Sequence, residues 1–462
     1  MHTDPHYTAG WANYCKGEFA QAEAEFHLGV GHARQKNDPA HLSHWLDQLA
    51  MAVLDGGDPV RAESLLHEAL ALVRRLPADP QVDSIRHDLL RVLASAQQQR
   101  GHYHEAAATS RELLASQRSI LDRDHPDVAA TLYSFASCEQ QAGNLALAEA
   151  MHREALDLRQ LPGRSDPSVI LSQIAVAQCL IDHGAFDEAK SLLHYAGYAL
   201  RVDTKMNALV SWSSLGSLAT AWSQYGNLPL AERLARELLA VALRKFNPHH
   251  LFVGLSYRRL ADVLGKRGDR EAAEPEYRQA LAIMAHIFGR KGRHFPSTLE
   301  AQARLRKDQS RYDEAEVLGR DALAARRATA GEDNAYVLPS LEILAQVQAA
   351  RGHLGAAIIM NRRHLAICRG HLGARHPETA TSLVALAAAL VRQGEFQAAA
   401  DSLAEAWLIE QALGYLRREP QRHLHRGCEQ LYTAWTKTDP AKAPLLADWQ
   451  EKLLAFDRIA QP

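Results

Sequence analysis

The stretch Pro126–Leu156, PDVAATLYSFASCEQQAGNLALAEAMHREAL, reads as two short helices joined by one break. Pro126 stands where a first helical position is expected, Leu132, Phe135 and Ala136 share one face, and Gly143-Asn144 ends the helix. Beyond the break, Ala148, Met151, Ala155 and Leu156 recur at i, i+3, i+7 and i+8, which is the apolar face of a second helix. Two short amphipathic helices cannot bury both faces against each other alone. A unit of this kind needs neighbours like itself.

The chain supplies them. Breaks recur at Gly17, Gly57, Gly101, Gly143, Gly184, Gly226, Gly268, Ser310, Gly352 and Gly394, at intervals of 40 to 44 residues and most often 42. Five residues after every break stands alanine, from Ala22 and Ala62 through Ala148 and Ala231 to Ala399. Seven residues before it the residue is again small, Gly10 in the first unit and alanine in the other nine, as at Ala136, Ala261 and Ala387. Small residues at fixed points on both helices let the pair cross closely. A larger side chain such as Phe19, Tyr103, Leu145 or Tyr312 usually follows the break by two residues and plugs the turn.

This pattern resembles the tetratricopeptide repeat. Its 42-residue period and phrases such as LGARHPETATSL and SRYDEAEVLGRDAL are similar to the kinesin-light-chain variety of that family. The resemblance implies an all-α fold, a right-handed superhelical solenoid of ten to eleven helix–turn–helix pairs. Residues 3–418 would form ten repeats, and residues 419–462 a degenerate eleventh pair, begun by Pro420, that caps the exposed end of the core. The family binds proteins and peptides of many kinds, so the resemblance implies a binding scaffold without choosing its ligand.

Composition agrees with a single solenoid. The 27 glycines and 18 prolines of this 462-residue chain mostly mark breaks and helix starts, and strand-like alternation is absent. The opening MHTDPHYTAG has no basic segment before an apolar run, so no signal peptide is expected. The longest apolar run, Leu383–Val391, has nine residues and is too short to span a membrane. Five scattered cysteines without a C-x-x-C argue against a disulfide framework or a zinc site, and a cytoplasmic location is expected. The 24 histidines include close sets such as His102 with His104, but none has the spacing of a helical zinc hydrolase. No phosphate-binding loop, dinucleotide fingerprint or nucleophile elbow is present, so neither cofactor, metal nor catalytic residue is expected.

Function in such a fold resides on the concave surface, and the resemblance implies that positions ten and six before each break point into it. They include Arg91, Tyr133, Gln178, Arg258 with Asp262, Glu300 with Arg304, and Glu342 with Gln346. Kinesin light chains commonly present asparagine there to hold a peptide backbone, and no asparagine stands at these positions. The charge is uneven. Arg244–Arg327 carries 18 Lys/Arg against 11 Asp/Glu, a net +7 within a chain of net −2. Within it, the eighth unit has Gln302 and Arg306 where sister units carry Leu260 and Leu264, and a basic insertion, Arg290-Lys291-Arg293, precedes it.

These features place the expected site in units seven to nine. Arg258, Arg304 and Lys307 would receive an acidic peptide segment or another protein, while Asp262, Glu300 and Glu342 temper the positive potential. A pI near 7 and the lack of an aromatic–basic stacking platform argue against nucleic acid. An enzyme or small-ligand receptor that uses the same charged residues as acid and base is the alternative, though an open groove perturbs carboxylates little. A second candidate patch is the aromatic first unit, with Tyr7, Trp11 and Tyr14, which would otherwise cap the solenoid or pack on a second subunit, so a homo-oligomer is allowed.

Overall fold

The structure is a computed structural model that describes residues 4–36, 38–77, 79–161, 166–183, 185–202, 208–289, 294–412, 418–442, 444–445 and 449. Among them are 21 α-helices and no strand. In chain order they are α1 Pro5–Lys16, α2 Phe19–Lys36, α3 Pro39–Asp55, α4 Pro59–Val73, α5 Pro80–Gln99, α6 Tyr103–Ile120, α7 Pro126–Gln141, α8 Leu145–Arg159, α9 Val169–His183, α10 Phe186–Val202 and α11 Ala208–Tyr225. There follow α12 Leu228–Lys245, α13 Leu251–Arg267, α14 Arg270–Phe288, α15 His294–Asp308, α16 Tyr312–Ala330, α17 Leu338–Ala350, α18 Leu354–Ile367, α19 Pro377–Gln393, α20 Phe396–Ala412 and α21 Arg418–Thr438. Each odd-numbered helix from α1 to α19 packs against the even-numbered one that follows it, and neighbouring pairs stack into a superhelical solenoid.

The breaks behave as the spacing predicts. Gly143 and Gly268 take φ of 88° and 93°, and the same left-handed conformation recurs at every described break. Ser310 adopts it too, at φ 61°, and is the only non-glycine to do so among the described residues. The residue after the break donates its N–H back over five residues, as Asn144 does to Glu139 and Asp269 to Leu264. These bonds satisfy carbonyls that a helix end would otherwise leave orphaned. Gly184, Arg290, Lys291, Arg293 and most of the second helix expected for the eleventh unit lie outside the described residues.

The alanines five residues past the breaks, Ala22 to Ala399, are all 0% exposed. The small residues seven before the breaks are buried as well. In the first unit a Cβ on Gly10 would lie 2.4 Å from the Phe26 ring, so alanine is too large there. The eighth unit fills its weak apolar face with an ion pair. Arg306, buried, donates two 2.6 Å hydrogen bonds to Glu274, whose carboxyl this guanidinium holds down at about 2.

Successive turns of the superhelix touch, and they do so in a constant register. Gly17 lies beside His250, Gly101 beside Asn334 and Ala335, and Gly143 beside His376 and Pro377, so each of these three breaks meets the opening of the unit six further on. The Nε2 of His376 hydrogen-bonds the Gln141 carbonyl at 3.0 Å, and that of His104 the Leu372 carbonyl at 3.3 Å. Phe19 stacks on Phe288 at 5.8 Å. A Cβ on Gly143 would come within 2.8 Å of His376 and Pro377, so this break needs glycine for clearance as well as for its φ.

The helix crossings leave no room at the alanines. Replacing Ala148 or Ala231 with Leu is expected to overpack one pair and cost about 1–3 kcal/mol, measured by denaturant unfolding. Unchanged stability in both variants would show that these positions do not set the crossing.

Candidate functional site

Thr220 on α11, Arg258, Arg259 and Asp262 on α13, Glu300 and Arg304 on α15, Arg326 on α16 and Pro339 on α17 surround a cleft of about 490 Å³. It forms because odd-numbered helices of successive units lie side by side and present the same register toward one another. Five of its lining side chains are cationic, with Lys266 the fifth, and three are acidic, including Asp308. Arg258, Asp262, Glu300 and Arg304 of the expected site thus converge. Lys307, Gln346 and Glu342 continue from it as a chain of contacts, Lys307 to Gln346 at 2.9 Å and Gln346 to Glu342 at 2.8 Å.

The charges in the cleft divide into two classes. Glu300, buried at 3% exposure, receives hydrogen bonds from Arg326 at 2.6 and 2.8 Å and another from Ser340. Arg326 is equally buried, lies 4.4 Å from the centre of the Tyr336 ring, and bonds the Tyr336 carbonyl at 2.9 Å. This pair ties α15 to α16 and to the turn before α17. By contrast, Arg258 stands 3.7 Å from Asp262 and Arg304 stands 3.8 Å from Glu342, both long contacts at part-exposed side chains. Such pairs contribute roughly 0–1 kcal/mol, and Arg258 is held besides by a 3.0 Å hydrogen bond to Ser297, so Arg304 is the more loosely held of the two. Asp262 accepts a 2.7 Å hydrogen bond from Tyr277, whose phenol is driven well above its usual range by burial and by that carboxylate.

Arg259 is the residue that sequence reasoning missed. It is half-buried and, among the described residues, makes no hydrogen bond and has no ion-pair partner. Burial pulls its guanidinium down, against the opposing pull of the Asp262 charge. Gly216 on α11 faces it, and a Cβ there would stand in ordinary van der Waals contact, 3.6 Å from the Arg259 Nε. A signal was present: nine residues before the ten breaks stand Thr8, Gln48, Val92, Ser134, Ala175, Ser217, Arg259, Ala301, Ile343 and Ala385, and Arg259 alone is charged.

The other expected residues lie elsewhere. Tyr133 packs in its own unit, 5.3 Å from the Arg159 guanidinium and 5.1 Å from the His152 ring. Gln178 is half-buried on α9, and Arg91 is exposed on α5, 3.4 Å from Asp88. Tyr7, Trp11 and Tyr14 form a run of ring contacts at 6.4 and 5.1 Å that continues to Phe26 and Trp45, so the first unit covers the end of the core with aromatic edges. Glu63, His102 and Glu105 bring three potential metal ligands within 4.8 Å of one another, but Arg100 already neutralises Glu63. A cation there would have to displace that guanidinium. No helix among the described residues is long and apolar enough to cross a membrane.

The groove row also contains a buried acid. Asp47 on α3 is 4% exposed, and its carboxyl is pushed up to about 7, first by burial and then by the charge of Asp88, against the opposing pull of Arg91 and the Gln48 hydrogen bond. Between the ordinary aspartate value and about 7 the folded chain therefore keeps a proton that the unfolded chain releases. Stability should fall as pH rises through that window, with the full cost present above it. Asp47→Asn should accordingly stabilise by up to about 4 kcal/mol at pH 8, and this gain should vanish toward pH 4. Parallel stability-versus-pH curves for the two proteins would refute the assignment.

Breaking the Glu300–Arg326 pair strands a buried charge. Arg326→Ala should cost about 3–5 kcal/mol, whereas the double variant Glu300→Leu with Arg326→Met should recover most of that loss. Equal melting temperatures for the single and double variants would count against a buried pair.

Comparison with known proteins bears on this geometry. Two family models, both described as Tetratricopeptide repeat, match residues 86–161, 127–193 and 213–285, and 303–336 and 379–423, which together cover just over half of the chain. No curated protein sequence matches it. Among solved structures, BtubC (BKLC) from P. vanneervenii is 20% identical over 51% of this chain and 92% of its own, with a TM-score of 0.39. A Podosopora anserina protein described as a kinesin light chain with nearly identical TPR-like repeats is 23% identical over 44% of this chain and 94% of its own, with a TM-score of 0.34. A Rap protein complexed with competence and sporulation factor is 14% identical over 79% of this chain and 97% of its own, with a TM-score of 0.49.

Proposed function

The chain belongs to the tetratricopeptide repeat family, and from that premise we propose that it is a non-catalytic scaffold or adaptor whose arginine-lined cleft receives an acidic segment of a partner protein. One observation carries this reading. Arg259 is a half-buried guanidinium with neither a hydrogen bond nor an ion pair among the described residues, set between Arg258, which holds Ser297 at 3.0 Å, and the loosely paired Arg304. Partial withdrawal from water disfavours the charge of this guanidinium, and a carboxylate entering the cleft would offset that while forming charge-assisted, bidentate hydrogen bonds.

The alternative reading, an enzyme or small-ligand receptor, needs Asp262, Glu300 and Glu342 as acid or base. Each is already engaged, by Tyr277, by Arg326 with Ser340, and by Gln346 respectively. That engagement favours the scaffold. The tethered partner would be assembled or regulated by the solenoid. Residues 3–418 form its ten repeats in this reading, and residues 419–462 cap it, with α21 packed on α19 and α20. The five cysteines are all free thiols, four of them buried, which suits the reducing cytoplasm.

Affinity capture from the native host, followed by mass spectrometry, should recover a stoichiometric partner with an Asp/Glu-rich segment. A synthetic peptide of that segment should bind the purified chain, and the binding should weaken with salt. Arg258→Glu combined with Arg304→Glu should weaken it at least about tenfold at low salt with little change in melting temperature, and Arg259→Met should weaken it further. Unchanged affinity, or affinity indifferent to ionic strength, would move the site out of the cleft.

A further inference from the structure

A second cavity, of about 550 Å³, lies at the seam where the first superhelical turn meets the next, and its size is that of small-molecule sites. One wall comes from the first two units, with Tyr14, Phe19 and Leu54, and the other from α11 to α14, with Trp212, Phe252 and Phe288. Its rings brace one another. Trp212 stacks on Phe252 at 4.2 Å and Phe19 on Phe288 at 5.8 Å, while Tyr14 meets Phe19 edge-on at 5.5 Å. A wall of rings held in this way fits a flat, apolar body.

The charge on the wall decides what else the occupant carries. Asp55, the last residue of α3, lines the cavity half-buried, and its carboxylate accepts the Tyr14 hydroxyl. Burial and then that carboxylate drive the Tyr14 phenol well above its usual range. One hydroxyl uses only part of the accepting capacity of a carboxylate, which offers roughly four lone-pair sites. Neither lysine nor arginine stands among the described lining residues. Arg91, whose charge reaches Tyr14, stays outside the lining, exposed and 3.4 Å from Asp88. His250 accepts the Phe252 N–H through Nδ1 at 3.1 Å and bonds the Cys15 backbone, and burial pulls its imidazole down, so it is neutral at pH 7. His294 tilts against the Phe288 ring at 6.5 Å, and the side-chain oxygen of Gln99 is itself buried and takes no part. The wall thus presents one carboxylate amid rings. A neutral occupant would strip water from it without replacing that water, and an anion would meet a like charge. A cation pairs with it and is drawn to ring faces as well.

From this arrangement we propose that the seam cavity binds a small organic cation, a primary ammonium joined by a short chain to a flat aromatic ring, with Asp55 pairing the ammonium and the ringed walls holding the aromatic body. The site shares no lining residue with the arginine cleft and selects the opposite charge. Its walls belong to units one superhelical turn apart, so an occupant ties the two turns together and stabilises the closed solenoid in proportion to its occupancy.

Tryptamine is the probe, tryptophol its neutral counterpart with a hydroxyl in place of the ammonium, and indole-3-acetate the anionic one. Binding to the full chain is measured by titration calorimetry at about pH 8, above the ordinary histidine range. Tryptamine is expected to bind, tryptophol to bind about tenfold more weakly, and indole-3-acetate more weakly still. Cys15 reports the place. It lines the cavity and is exposed while the other four cysteines are buried, so bound tryptamine should slow its alkylation by N-ethylmaleimide. Asp55→Asn, which keeps an acceptor for Tyr14, should bring tryptamine and tryptophol to equal affinity; if this variant fails to fold, the wild-type series and the Cys15 protection decide alone. No tryptamine binding to the wild-type chain at about millimolar concentration, tryptophol or indole-3-acetate binding as tightly as tryptamine, Cys15 alkylation unaffected by saturating tryptamine, or a tryptamine preference that survives Asp55→Asn would overturn the proposal.

Discussion

The whole structure depends on one clearance, that between the two helices of a unit where they cross beside the break. Alanine at five past the break has no exposed surface in any of the ten units, and the small residue at seven before it is buried opposite. With backbones this close, one extra methylene has nowhere to go, because a packed interior does not yield smoothly. The left-handed break fixes the angle at which the chain re-enters, and the small residues fix the distance. Together they make every unit nearly congruent with the next, and congruent units stacked by a constant rotation must form a superhelix.

Constant rotation has a further consequence at the seam. Because the rotation per unit hardly varies, a break meets the opening of the sixth unit beyond it at Gly17, at Gly101 and at Gly143 alike. His250 and His376 cap the helices that begin there, each accepting a backbone N–H through Nδ1. That leaves the other ring nitrogen as the donor, facing the turn below. One side chain thus closes a helix start and a superhelical turn together. No local pattern announces this contact. It arises from the accumulated geometry of six units, more than 230 residues away along the chain, and so the seam and its cavity were not legible in the sequence.

What was legible follows the range of the cause. The period, the breaks and the small positions are local rules, and Gly143, Ala148 and Ala136 sit in the structure as their spacing required. The convergence of Arg258, Asp262, Glu300 and Arg304 could also be read, since equal registers on stacked helices lie side by side. Their individual states could not. Register alone does not distinguish Glu300, clamped by Arg326 from the following helix, from Arg304, which reaches Glu342 only at 3.8 Å. Nor did the poor apolar face of the eighth unit mean an exposed face, because Arg306 and Glu274 bury there as a pair. Arg259 stands nine before its break, outside the rows at ten and six that the family resemblance assigns to the groove, and is the single charge in its row.

In the proposed reading, the difference between clamped and open charges is what lets a cleft with three acidic groups attract an acidic ligand. Glu300 and Arg326 neutralise each other at 2.6 Å with most of their hydrogen-bonding capacity used, so they present little net field and serve as a rigid floor. Asp262 is partly spent on the Tyr277 hydroxyl. Arg258 keeps a 3.0 Å hydrogen bond to Ser297 beside the distant Asp262, Arg304 keeps only the distant Glu342, and Arg259 keeps no hydrogen-bond or ion-pair partner among the described residues. In that reading an incoming carboxylate meets guanidiniums of graded exposure, Arg304 at 45% and Arg258 at 27%, carried on packed helices. Preorganisation of that kind lowers the cost of forming the new pairs, and in that reading the selectivity for acidic segments would rest on the geometry of the cleft more than on its net charge.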